Sequence, residues 1–193
     1  MIELETLSFD EQLEALCPPD ASPGLRTALE AARPADPPDR SVLAASRDLM
    51  PPAPAADRIE RRGEPVALGH LEPGELETFV PIEAVELPDR PAYVLTDVDL
   101  GAGSRNVTPE TALKAILAEG RSPLTIDEGI ALILQQPEAI DRNWGFSMAG
   151  SRRADQRVPA FWISEGRPKL GWCWDRNPHT WLGTASCAGR VAP

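Results

Sequence analysis

The chain has 193 residues, 42% of them hydrophobic, which is the length of one domain, or of one domain with a modest appendage, and enough apolar side chains for a core. Its net charge of −11 argues against nucleic acid and anionic membranes as partners. No stretch approaches the ~18 apolar residues of a membrane span, and the longest apolar run, Gly129 to Leu134, has the length of a core helix.

The first third reads as interrupted helix. Phe9 to Leu16 carries apolar residues at helical spacing and stops before Pro18-Pro19. Ser22-Pro23 is an N-cap signature for a helix bearing Leu25 and Leu29, and Ser41 to Met50 is a third helix candidate. Proline-rich joints separate these pieces at Pro34, Pro37-Pro38 and Pro51–Ala56, a composition that stays extended. Residues 1–57 therefore read as a proline-jointed helical arm, and 58–193 as the body. The alternative is that the short amphipathic helices bury their apolar faces on the body.

From Arg58 the pattern turns to strands over Arg58–Leu68, Glu77–Val85 and Ala92–Val98. Two capped helices follow. Thr108-Pro109 opens one with Leu113, Ile116 and Leu117, ending at Gly120; Thr125-Ile126-Asp127-Glu128 is a capping-box sequence before Ile130 and Ile133. With an Arg121–Leu124 turn they make an αα-hairpin. Gly145–Gly150, Val158–Ser164, Lys169–Trp174 and Thr180–Ser186 then read as an antiparallel β-meander. The predicted class is α+β: an N-terminal helical arm, a central mixed sheet with an αα-hairpin, and a C-terminal antiparallel meander.

All five tryptophans, two of the three cysteines and one of the two histidines fall between Trp144 and Cys187. Residues 141–193 hold eight Lys/Arg against four Asp/Glu, a balance of +4, leaving −15 on residues 1–140. The tryptophan-rich end is thus the basic end. Trp172, Trp174 and Trp181 with Arg152, Arg176 and Asn177 form a candidate ligand-binding face, because arginine forks and indole planes together hold anions and stacked rings. Tryptophans alternating on strands are also ordinary core material, although full burial of all five in so small a sheet would be unusual.

Cys173, His179 and Cys187, spaced C-x5-H-x7-C, support two further readings. Thiolates and an imidazole suit zinc, with Asp175, His70 or water as a fourth ligand, although the spacing matches no known finger or ribbon. The same residues make a candidate catalytic set, Cys173 or Cys187 as nucleophile and His179 as base, oriented by Asp175 or Asn177. Against both stands the ordinary fate of a free cysteine, which is burial as a small hydrophobe. Asp97-Val98-Asp99 after an apolar strand has the form of a strand-end metal or phosphoryl-transfer pair, but Gly101-Ala102-Gly103 supplies no further oxygen ligands, and a polar turn explains it more simply.

Arg121-Ser122-Pro123-Leu124-Thr125-Ile126-Asp127-Glu128-Gly129, Gly150-Ser151-Arg152, Leu170-Gly171-Trp172-Cys173-Trp174 and Asn177-Pro178-His179-Thr180-Trp181-Leu182-Gly183, together with Asp97-Val98-Asp99, resemble an actinobacterial family catalogued as a domain of unknown function. The resemblance spans about residues 70–190. It implies a bacterial cytoplasmic setting and brings no activity, cofactor or catalytic residue. The acidic Met1–Glu5, without the features of a secretion signal, agrees with a soluble cytoplasmic protein. The functional expectation is a non-catalytic protein binding a small anionic or aromatic ligand, or a protein partner, on the Trp/Arg face. An enzyme using the Cys–His set, thiol-based or zinc-assisted, is the first alternative. A structural adaptor docking a partner through the N-terminal arm is the second.

Overall fold

A computed structural model describes residues 4–36, 39–72 and 74–192; the Pro37-Pro38 joint and the first three residues of the acidic N-terminus lie outside these. Helix α1 (Phe9–Leu16) opens with a capping box between Ser8 and Glu11 and buries Phe9, Leu13 and Leu16. Helix α2 (Pro23–Ala31) is capped by Ser22, whose Oγ accepts the Leu25 N–H, and buries Leu25 and Leu29. Both helices share one hydrophobic cluster with the body. Leu16 and Leu29 are fully buried there, and the Gln12 amide oxygen of α1 accepts the Leu43 N–H at 2.7 Å. The described part of the expected arm is packed because its apolar stripes have a sheet to cover.

That sheet begins where the sequence suggests a third helix. Val42–Ala45 within Ser41–Met50 is strand β1, buried at all four positions. A short apolar run between proline signals does not reveal its period, and coverage on both faces selects the strand. Helix α3 (Pro52–Ala56) follows in the segment expected to stay extended; Pro52 sits in its first turn, where a missing N–H costs nothing. The expected strand at 58–68 is broken into a tight ribbon of β2 (Glu60–Arg61) and β3 (Glu64–Pro65), then β4 (Ala67–Leu68). Two-residue β5 (Val80–Pro81) is what forms within 77–85. Strand β6 (Ala92–Thr96) pairs antiparallel with β1.

Helix α4 (Pro109–Ala118) carries the Thr108 cap, and α5 (Ile126–Gln135) the Thr125–Glu128 capping box, as the sequence predicts. Their connection does more than turn. It contains β7 (Ser122–Pro123), which pairs with β13 (Ser186–Cys187). Helix α4 lies against β7 and β12 (Leu182–Thr184), whereas α5 lies against β1, α1 and α3, so the two helices serve different neighbours.

In the C-terminal part, β10 (Arg157–Ser164) and β11 (Arg167–Trp174) form an eight-position hairpin. Its Glu165-Gly166 turn has positive φ at both residues, the twist a two-residue loop needs and glycine tolerates best. Strand β8 (Gly145–Ser147) pairs antiparallel with β10. The meander departs from expectation at its last strand. Strand β12 crosses to the far side of β8 and runs parallel to it, giving the order β12-β8-β10-β11-β4. From there the chain continues through β13 to β14 (Gly189–Val191), which completes the order β1-β6-β14. Residues 182–191 thus stitch the two sheets together. Strand β9 (Ser151–Arg152) pairs with β5. The class is α+β with mixed and antiparallel sheets.

Candidate functional site

Strand alternation divides the tryptophans. Trp172 and Trp174 share one face of β11, with ring centroids 4.9 Å apart in an edge arrangement. Trp172 is half-buried, donates from Nε1 to the His70 carbonyl at 3.0 Å, and lies 4.5 Å beneath the Arg157 guanidinium; Trp174 is 47% exposed. Trp162 points to the opposite face, over Gly171, where a Cβ would stand 2.5 Å from its Cη2. Trp181 meets Trp162 there, ring centroids 5.7 Å apart. The expected single face of Trp172, Trp174 and Trp181 is therefore two surfaces on opposite sides of one sheet.

The arginines of this segment, Arg152 and Arg176 of the expected face among them, are largely committed. Arg157 holds Asp155 at 3.0 Å, Arg153 pairs with Glu75, and exposed Arg176 lies 3.4 Å from Glu110. Arg152 donates to the Ala149 carbonyl at 3.1 Å, and burial lowers its pKa. Asn177 is exposed, its N–H donating to the Trp174 carbonyl in the loop after β11.

Cys173 and Cys187 are buried in different places. Cys173 lies in a small cluster with Ala149, Val158, Ala160 and Leu182; Cys187, in β13, lies in the main core. Desolvation pushes the Cys173 thiol up to about 12 and the Cys187 thiol up to about 11, away from the activated thiolate a nucleophile requires. His179 meets Trp181 at a tilted 55°, ring centroids 5.1 Å apart; burial lowers its pKa, and its Nε2 has no hydrogen-bond partner among the described residues. Among the described residues, no three His, Cys, Asp or Glu side chains are placed to hold a metal ion. Cys173, His179 and Cys187 thus do not converge as a ligand set: Cys173 and Cys187 lie on strands of different sheets, and His179 lies in the loop between β11 and β12. Asp97 is tied to Arg121 and Arg40, and Asp99 accepts the Gly101 N–H at 2.8 Å, so this pair closes a turn.

What the fold assembles instead is an indole-walled cleft of about 160 Å³ at the end of the second sheet, lined by Trp144, Trp162 and Trp181 with Asp141, Asn143 and Ile163. Trp144 is 7% exposed, and its Nε1–H is buried without a partner among the described residues. The Arg105 guanidinium lies 5.1 Å from the Trp144 ring centroid and is held by the Thr180 carbonyl at 2.8 Å. Among the described residues Arg105 has no carboxylate within salt-bridge distance. Asp141, across the cleft, is bonded to Arg61 at 3.2 Å. The tryptophan count points to this region, but Arg105 lies 39 positions before Trp144 and carries no sequence signal.

A second arrangement is invisible in the sequence. The capping-box acid Glu128 is fully buried and receives Arg190 at 2.6 and 2.8 Å, the Tyr93 hydroxyl at 3.1 Å and the Thr125 N–H at 2.8 Å. Beside it, Asp127 Oδ2 receives Arg47 at 2.7 Å. The motif has a sufficient local explanation, so nothing in it announces a buried ion-pair centre.

Fold and site together define an α+β protein with a tryptophan-walled cleft on one side and a buried charge network at the start of α5. No helix among the described residues is long and apolar enough to cross a membrane. The chain belongs to DUF5701, a family of unknown function whose model matches residues 10–193. No curated protein and no solved structure matches it.

Proposed function

We propose that this is a non-catalytic binding protein of the actinobacterial cytoplasm, holding a small aromatic ligand that carries an anionic group in the Trp144–Trp162–Trp181 cleft. The observation that carries this reading is three indoles lining one cleft beside two groups without a partner among the described residues: the buried donor Trp144 Nε1, and Arg105, which has no carboxylate at salt-bridge distance. Orphaned buried donors are rare, and a ligand acceptor would satisfy this one. Size narrows the class: an apolar cavity of ~150 Å³ holds benzene, so about 160 Å³ suits one aromatic ring rather than a nucleotide. The −15 carried by residues 1–140 also argues against a polyanionic partner.

The test is a tryptophan-fluorescence titration with benzoate and, as neutral counterpart, benzyl alcohol. Benzoate should quench the signal saturably. Trp181→Ala should weaken both ligands roughly fivefold, an aromatic contact being worth on the order of 1 kcal/mol. Arg105→Ala should weaken benzoate selectively. Absence of saturable quenching through the millimolar range, or equal loss of both ligands in Arg105→Ala, would remove the reading.

A further inference from the structure

Between the end of β1 and the first turn of α5 lies a second cavity, of about 290 Å³, that the tryptophan cleft does not reach. Its walls are apolar: Val80, Leu87 and Pro88 face it, and Val80 and Leu87 are 52% and 42% exposed. Its charged groups are Arg47, Arg90 and Asp127.

Asp127 is the informative residue. It is 6% exposed. Its Oδ2 accepts both Arg47 Nε at 3.2 Å and a terminal Arg47 nitrogen at 2.7 Å, and Arg47 is itself fixed by the Phe79 carbonyl at 2.9 Å. The other oxygen, Oδ1, is buried with no hydrogen-bond partner among the described residues. A buried carboxylate oxygen without a donor is an exception that calls for one. Arg47 already neutralises the charge, so the missing group is a neutral N–H or O–H rather than a second cation. Arg90, exposed and without a carboxylate at salt-bridge distance among the described residues, leaves the site one positive charge in excess.

We propose that this cavity is a binding site for a small amphipathic acid bearing an N–H or O–H donor. The ligand displaces the side chains that cover Asp127 Oδ1 so that its donor meets that oxygen, the apolar body lies against Val80, Leu87 and Pro88, and the carboxylate pairs with Arg90. The site is separate from the tryptophan cleft, and neither proposal depends on the other.

N-acetyl-leucine has all three features, and its N-methyl derivative lacks only the donor. Calorimetric titration of the full chain should show N-acetyl-leucine binding once, with the N-methyl compound about tenfold weaker, the loss expected for one hydrogen bond to a charged acceptor. Asp127→Asn should lose binding similarly: Arg47 demands an acceptor, which turns the oxygen of the new amide toward it and leaves an NH2 where the ligand donor must go. Arg90→Ala and Leu87→Glu alter exposed side chains, so they test the site without a folding penalty, and both should weaken binding about tenfold. Saturating benzoate should leave the titration unchanged. No binding of N-acetyl-leucine in the millimolar range, or affinity unaltered in Arg90→Ala and Asp127→Asn, would overturn the assignment.

Discussion

At the scale of single residues, the most consequential position is Glu128. Four donors converge on a carboxylate with no exposed surface, and Arg190, at 4% side-chain exposure, depends on it in turn. Removing one member of a buried pair leaves the other charged and unpaired. Glu128→Ala should therefore cost about 3–5 kcal/mol in urea unfolding. A loss below about 1 kcal/mol would mean that Arg190 reaches water in the variant. Asp127 gives the opposite kind of signature. Desolvation raises its pKa above the usual carboxylate value despite Arg47. Its contribution is full below the unfolded value near 3.9 and is lost as pH rises through the raised folded value. The wild type should accordingly lose stability relative to Asp127→Asn across that window and run parallel to it above. Asp97 works the other way: Arg121 lowers its pKa, so its contribution is present above the unfolded value and lost as pH falls.

At the scale of elements, strand alternation decides what the C-terminal segment can do. In Trp172-Cys173-Trp174 the thiol is turned away from both indoles, into the small cluster beneath Trp162 and Trp181. Cys187 is closed off by the β7–β13 pairing, and Cys17 at the end of α1 is buried, its pKa raised by desolvation. Alkylation of the native protein near neutral pH should be slow at all three cysteines and become fast only on unfolding. Rapid modification of Cys173 or Cys187 would instead favour the alternative of a Cys–His enzyme. The capped helices are the most legible elements, because Thr108-Pro109 and Thr125–Glu128 state their geometry in four residues or fewer. Val42–Ala45 is not legible as a strand, since a four-residue apolar run fits either period.

At the scale of the molecule, the N-terminal helices and the last strand close the same structure. Helices α1 and α2 cover β1, while β14 at the far end of the chain completes the same sheet on the other side of β6. Deleting residues 1–31 would remove Phe9, Leu13, Leu16, Leu25 and Leu29 from the core they share with β1 and β6 and uncover the apolar side chains they pack against. Each such side chain contributes about 1.5–3 kcal/mol when withdrawn from water, so the loss of several is comparable with a domain's whole stability. The truncated chain should lack a cooperative thermal transition. A sharp melt like that of the full chain would instead support a detachable arm, and with it the adaptor reading.

Neighbouring residues alone specify the α+β class, the capped helices and the concentration of indoles near the C-terminus, because each is written in caps, periods or composition. The folded chain settles the rest: the crossing of β12 to the far side of β8, the separation of Trp172 and Trp174 from Trp162 and Trp181, the scattering of Cys173, His179 and Cys187, and the meeting of Arg47 with Asp127 and Arg190 with Glu128. The physical reason is reach. Arg47 and Asp127 are 80 positions apart, and Arg190 and Glu128 are 62, so no local preference encodes either pairing. Only burial of the surrounding chain brings those charges together, and only the resulting low dielectric makes their pairing obligatory.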